Sequence, residues 1–186
     1  MIQLFDYYNQ ETQDLHDSLL AAGYACPTIV IEDNGFLPDD MISPYTYFLG
    51  DETGQRKPLF FNQVPVPPFW EISGDNQLAR VCDVGEERAR IHYASQAGGR
   101  FVKQVDWLDK KGQVKLSDRY NKYGRRFAQT TYRAGQEIFI TTYYSVNNQE
   151  RIVENHATGD IILTLEQEPL RIFKNRLDFI RFFLER

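Results

Sequence analysis

The chain has 186 residues and a formal charge of −5, from 21 basic and 26 acidic side chains, which fits one domain, or one plus a fragment. The acidic balance speaks against a general nucleic-acid binder. A 42% hydrophobic, 25% charged composition speaks against disorder. No apolar run approaches the ~18–20 residues of a membrane span, and the opening Met1-Ile-Gln-Leu-Phe-Asp6 has no basic n-region, so a signal peptide is not expected. Two cysteines, Cys26 and Cys82, make neither a metal site nor a disulfide framework.

In chain order, Ile2 and Leu4 alternate as in a short strand. Asn9 is a helix cap, and Leu15, Leu19 and Ala22 then share one face up to the stop at Gly23. Thr28-Ile-Val-Ile31 has the β-branched run of a buried parallel strand. Strand, helix and strand begin a doubly wound sheet. From Gly35 to Pro68 six prolines punctuate the chain (Pro38, Pro44, Pro58, Pro65, Pro67, Pro68), and the segment reads as a linker between two units.

From Leu59 to about Leu170 the chain reads as antiparallel β. The runs are Phe69–Ser73, Ala79–Val84, Ala89–Ala94, Phe101–Leu108, Gln113–Tyr120, Arg126–Tyr132, Glu137–Tyr144, Arg151–His156 and Ile161–Glu166. Turn signals such as Gly98-Gly99, Asp109-Lys-Lys-Gly112, Asn121-Lys-Tyr-Gly124 and Asn147-Asn148 separate them, so a meander is the simplest topology. Apolar and aromatic residues fall on both faces: Phe139, Thr141 and Tyr143 lie opposite Ile138, Ile140 and Tyr144. Both faces therefore need cover, from this chain or from a partner. Asn175–Arg186 is an amphipathic helix with Leu177, Ile180 and Leu184 on one stripe and Phe179, Phe182 and Phe183 widening it. That surface predicts the N-terminal part of a longer protein. The expected divisions are 1–57 (α/β segment and linker), 58–172 (antiparallel sheet) and 173–186 (helix).

Tests for chemistry return ordinary structure. Ala97-Gly-Gly-Arg100 lacks the spacing of a phosphate loop. Asp33-Asn34-Gly35 lacks the flanking ligands of a calcium loop and reads as a turn. Asp106 and Asp109 are a strand end and its turn rather than a catalytic carboxylate pair. His16, His92 and His156 have no metal-ligand spacing, and His16 is placed on the polar side of the first helix. No cofactor and no metal is expected. The aromatics of the late strands are the least ordinary feature. Tyr132, Phe139, Tyr143 and Tyr144 are the candidate partner-binding residues, because aromatics combine contact area with a polar tip. No acceptor-binding or catalytic residue is assigned.

Several motifs carry a resemblance. Met1-Ile-Gln-Leu-Phe-Asp6, with Pro27-Thr-Ile-Val-Ile31, Asn34-Gly-Phe-Leu-Pro38 and Ile42-Ser-Pro-Tyr45, resembles the start of the GtfB family. Phe61-Asn-Gln-Val-Pro-Val-Pro-Pro-Phe-Trp-Glu-Ile72, Val105-Asp-Trp-Leu-Asp109, Tyr120-Asn-Lys-Tyr-Gly124, Phe127-Ala-Gln-Thr130 and Glu154-Asn-His-Ala-Thr-Gly-Asp-Ile-Ile162 resemble the extended β-sheet domain shared by GtfA and GtfB. The resemblance implies an α+β fold: an antiparallel meander inserted in an incomplete Rossmann-like portion of a glycosyltransferase-B-type fold. It implies a non-catalytic stabilising subunit that binds a catalytic GtfA-like partner and a serine-rich repeat adhesin polypeptide. The partner transfers N-acetylglucosamine from UDP-GlcNAc. Without that partner a homo-oligomer is expected. The implied location is cytoplasmic, or peripheral at the inner face of the cell membrane. A fragment of a catalytic transferase and a carbohydrate-binding β domain are the rival readings.

Overall fold

The computed structural model describes residues 2–50, 57–94 and 98–186. The part of the linker at 51–56 and Ala97 of the predicted turn lie outside the described residues. Two sheets form. The small one is parallel, in the order β1 (Gln3–Tyr7), β2 (Thr28–Glu32), β3 (Met41–Ile42). The large one has ten strands: β4 (Glu71–Gly74), β5 (Leu78–Asp83), β6 (Glu86–Tyr93), β7 (Val102–Leu108), β8 (Val114–Tyr120), β9 (Arg126–Tyr132), β10 (Ile138–Tyr144), β11 (Glu150–Asn155), β12 (Ile161–Leu163) and β13 (Arg171–Phe173). Spatial order follows chain order from β4 to β13 and every pair is antiparallel, so the meander is observed. Short turns with glycine at positive φ, among them Gly112 and Gly124, make this topology the cheapest in loop closure. No helix of the described residues is long and apolar enough to cross a membrane.

Helix α1 (Gln10–Ala21) starts where the sequence places it. The Asn9 side chain accepts from the Thr12 N–H, and Thr12 returns a bond to the Asn9 N–H at 2.8 Å. Its inward face differs from the predicted one. The cap sets a phase in which Thr12, His16 and Leu19 form the inner row, and Leu15 is 50% exposed. His16 is therefore buried, not on the outer side. Its ring nitrogens meet Gln3, Thr28 and Asp40 at 3.2, 3.2 and 3.3 Å. A buried imidazole needs such partners.

The predicted linker contains core, which corrects that reading. Ser43 opens a short helix α2 (Pro44–Tyr47), and Tyr45, Phe48 and Leu49 are buried. Pro44 sits in the first turn, where its missing N–H costs nothing. Farther on, Leu59 and Phe61 bond to the sheet: Val102 N–H donates to Leu59 O at 2.8 Å and Phe61 N–H to Arg100 O at 3.1 Å. Phe69 is not a strand residue; β4 begins at Glu71, and Phe69 stands 99% exposed at φ 71°.

These segments cover the large sheet on opposite faces. Cross-strand register puts Arg119, Ala128, Tyr143, Ile152 and Leu163 on one face. There Tyr45, Phe48 and Leu49 pack with Phe179, Ile180 and Phe183 of α3 (Arg176–Leu184). The other face, at the β4–β8 end, carries Ala79, Val81, Ile91 and Val105 under Val64, Leu59, Phe61 and Trp70. This is why apolar residues appear on both faces of the strands. The inner row of α3 is Arg176, Phe179, Ile180 and Phe183; Leu177 and Leu184, of the predicted stripe, are 65% and 47% exposed.

One glycine locks the two sheets together. Gly35 has φ +85°, its carbonyl accepts from Lys122 N–H at 2.7 Å, and a Cβ there would stand 2.4 Å from the Tyr120 carbonyl. Gly35→Ala is expected to destabilise by about 1–3 kcal/mol, from strain added to the clash. Gly112→Ala, with φ +74° and open space around it, should cost only about 1 kcal/mol. Urea midpoints of the two variants check the difference; equal losses would mean that Gly35 is not a close contact.

Candidate functional site

A cleft of about 330 Å³ opens where the end of β2 meets the large sheet. It is lined by Glu32, Arg119, Thr130, Thr141, Glu154 and Arg176, with Tyr132, Tyr143 and His156 beside them. Each group comes from a different element. Glu32 closes β2, Arg119 lies in β8, Thr130 in β9, Thr141 in β10, Glu154 in β11, and Arg176 opens α3. Strand alternation aims the sheet residues to one side.

Charge in this cleft is arranged as a buried knot. Glu154 accepts from Arg176 Nη2 at 2.9 Å and Nε at 3.2 Å, and from the Tyr45 hydroxyl at 3.3 Å. Arg176 also pairs with Glu32. Burial works against a charge on Arg176, but Tyr45, Glu154 and Glu32 outweigh it and raise its pKa. Burial and then the neighbouring Tyr143 and Glu154 push the Tyr45 hydroxyl far up, so it stays a neutral donor. A chain of hydrogen bonds runs alongside: Thr130 Oγ1 to Thr141 Oγ1 at 3.1 Å, and Thr141 Oγ1 to His156 Nε2 at 2.9 Å.

Next to the cleft, on the same face, Asp106 gathers three donors. His92 Nε2 and Gln104 Nε2 lie at 2.7 Å and Ser117 Oγ at 2.5 Å. Ser117 also reaches Tyr132 Oη at 3.2 Å. Burial opposes ionisation of Asp106, but these bonds win and hold its carboxyl below the usual range. Asp106 stands between His92 and Ser117, whereas an activated serine needs the histidine between the two. The group is a fixed polar strip, not a nucleophile with its base. Asp109 is a turn residue; its Oδ1 accepts from the Lys111 and Gln113 N–H groups. Asp33-Asn34-Gly35 is a turn closed by the side chains of Asp33 and Asn34. Among the described residues no group of three or more His, Cys, Asp or Glu is placed to hold a metal ion.

The four predicted partner residues separate. Tyr143 is buried, stacked on Tyr45 at 4.7 Å between centroids and covered by Arg119. Its place in the interior follows from register with Ala128 and Ile152. Tyr132 lines the cleft. Phe139 is half-buried with the Arg133 guanidinium 3.8 Å from its ring. Tyr144 lies under Arg126 at 4.8 Å. Sequence reasoning missed Arg119, Glu154 and Arg176. The available signal was a charge at an inward position of an otherwise apolar row, which is rare without a partner.

Comparison with known proteins then names the family. The description "GtfB N-terminal domain" matches residues 2–48 and "GtfB middle domain" matches residues 70–174. The chain is 84% identical, over all 186 residues, to the UDP-N-acetylglucosamine–peptide N-acetylglucosaminyltransferase stabilizing protein GtfB of Streptococcus gordonii. It is 54% identical over 185 residues to the protein of that name in Streptococcus pneumoniae. It spans 41% of the length of each. Its structure superimposes with a TM-score of 0.95 and 84% identity on a chain of a crystal structure of a GtfA/B complex bound to UDP and GlcNAc, covering 100% of this chain and 42% of that one. The pneumococcal O-GlcNAc transferase GtfA superimposes at a TM-score of 0.66 with 14% identity, covering 99% of this chain and 40% of that one, which shows a shared fold alone. The chain belongs to the GtfB family.

Proposed function

We propose that this chain is the N-terminal part of a non-catalytic stabilising subunit of a UDP-GlcNAc:polypeptide N-acetylglucosaminyltransferase complex. It binds a catalytic GtfA-like subunit and helps present a serine-rich repeat adhesin polypeptide for O-GlcNAc transfer. The observation that carries this reading is the 84% identity over the whole chain, at a TM-score of 0.95, to a chain from a GtfA/B complex. The small parallel sheet and α1 belong to a Rossmann-like unit of a glycosyltransferase-B-type fold, and the ten-stranded meander is the assembly domain. The divisions 1–57, 58–172 and 173–186 correspond to α/β segment, sheet and re-entering helix. The protein works in the cytoplasm, peripheral at the inner face of the cell membrane, and self-associates when GtfA is absent.

The polar cleft favours this over a catalytic fragment, because its two glutamates, Glu32 and Glu154, are both tied to Arg176 in ion pairs. Phe139 and Tyr144, with Tyr132 at the cleft, are the proposed contacts to GtfA. The test is complex formation between the full-length protein and GtfA by size-exclusion chromatography, with affinities for Phe139→Ala, Tyr144→Ala and Tyr132→Ala. At least one variant should lose about 2 kcal/mol, or about 30-fold, as central aromatic anchors do. Wild-type affinity in all three would move the contact elsewhere on the sheet, for instance to the open edge at β4. The chain alone should show no turnover of UDP-GlcNAc.

A further inference from the structure

Among the described residues, Arg119 is the guanidinium of the cleft with no carboxylate in ion-pair contact. Arg176 is committed to Glu154 and Glu32. The rings of Phe127 and Tyr143 lie 5.4 and 5.2 Å from Arg119 Cζ. They pack against the guanidinium, and the Tyr143 hydroxyl takes one of its N–H bonds. Its Nε is buried without a hydrogen-bond partner, while Glu32 and Asp33 act on it through space. A guanidinium held this way, with its Nε–H unmatched and its position fixed by two rings and the Tyr143 hydroxyl, is a preformed receptor for an oxyanion.

The surroundings narrow the oxyanion. Glu32, Arg119, Glu154 and Arg176 sum to zero formal charge around the cleft. A carboxylate adds one negative charge beside two fixed glutamates. A phosphate adds about two, and the like-charge repulsion grows with it. The face leading away from the cleft is a strip of polar groups whose one carboxylate, Asp106, is already bonded to His92, Gln104 and Ser117. Arg119 lies opposite Gln104 in the β7–β8 register, and Gln104 opposite His92 in the β6–β7 register. Such a strip suits a polar chain that extends beyond its charged group.

We propose that the cleft is a carboxylate subsite: Arg119 receives one acidic side chain of the acceptor polypeptide, whose flanking residues lie along the strip from Gln104 to His92. This rests on the reading above that the subunit presents a polypeptide. It adds a sequence preference to that reading, for an acidic residue near the serines and threonines to be modified.

The experiment uses the full-length protein in complex with GtfA and fluorescence anisotropy. Two labelled Ser/Thr-rich peptides differ only at a central residue, Glu in one and Gln in the other. The wild type should bind the Glu peptide at least about tenfold more tightly. Arg119→Gln should remove that difference and leave the Gln peptide unchanged, and Arg119→Lys, which keeps the charge but loses the fork, should reduce it. Inorganic phosphate and UDP are added as competitors and should displace the Glu peptide only weakly. Equal binding of the two peptides by the wild type overturns the carboxylate subsite while leaving polypeptide presentation standing. Persistence of the preference in Arg119→Gln, or displacement by phosphate at lower concentration than by free Glu peptide, also overturns it. Absence of binding by either peptide overturns both readings. The wild-type comparison decides even if the Arg119 variants do not fold.

Discussion

Arg176→Ala is expected to destabilise the protein by about 3 kcal/mol, the low end of the ~3–5 kcal/mol seen when one partner of a buried ion pair is removed. The loss comes from what stays behind. The Glu154 side chain is only 7% exposed and would be left with the Tyr45 hydroxyl as its remaining close donor. Arg176 itself is 39% exposed, so water enters the vacated space and softens the penalty. Arg176 also joins α3 to β2 through Glu32, so its removal loosens the contact between the two sheets. Two companions separate charge from packing. Glu154→Gln keeps the shape and one acceptor and should cost less than Arg176→Ala. The double change Glu154→Leu with Arg176→Met removes both charges and should recover much of the loss, as apolar replacements of buried pairs do. Urea unfolding followed by tryptophan fluorescence measures all three. An Arg176→Ala loss below about 1 kcal/mol would place the pair among ordinary surface bridges.

Local pattern and long-range pairing were unequally legible in the sequence. The ten-stranded meander could be read almost strand by strand, because each turn is written in Gly, Asn and Asp and each strand in β-branched and aromatic residues. Only β13 escaped, a short run of Arg171-Ile-Phe173 at the sheet edge. Helix phase was harder. Leu15 and Leu177 look like core residues by hydropathy, yet the Asn9 and Asn175 caps fix where each helix begins and turn those leucines outward. Buried partners across the chain were not legible at all. Arg176 and Glu32 are 144 residues apart, and alternation tells which face a residue occupies but not what meets it there. The proline-rich segment was misread for a related reason. Pro44 marks the start of α2, and Pro58, Pro65, Pro67 and Pro68 punctuate the covering loop, while the hydrophobic cargo, Tyr45, Phe48 and Leu49, is too short to show a period.

Phe179→Ala tests the corrected face of α3 and should cost about 3–5 kcal/mol, the range for deleting a buried ring. Phe179 is fully buried and its ring meets Tyr45, Phe48 and Phe173 at 5.1, 5.7 and 5.5 Å between centroids. These partners come from α2, the residue after it, and β13, so the cavity would open between three elements that cannot close on it together. Incomplete collapse puts the cost in the upper part of the range. Leu177, on the outer side at 65% exposure, gives the contrast: Leu177→Ala should stay within about 0.5 kcal/mol, as exposed substitutions do. Phe182 is intermediate, half-buried between the Arg171 and Arg186 guanidinium groups at 4.7 Å each, and Phe182→Ala should cost about 1–2 kcal/mol through lost stacking and area. The order Phe179, Phe182, Leu177 in urea midpoint loss is the expected result. If Leu177→Ala proved as damaging as Phe179→Ala, α3 would pack through the stripe of Leu177, Ile180 and Leu184, and the helix would be rotated from the position described.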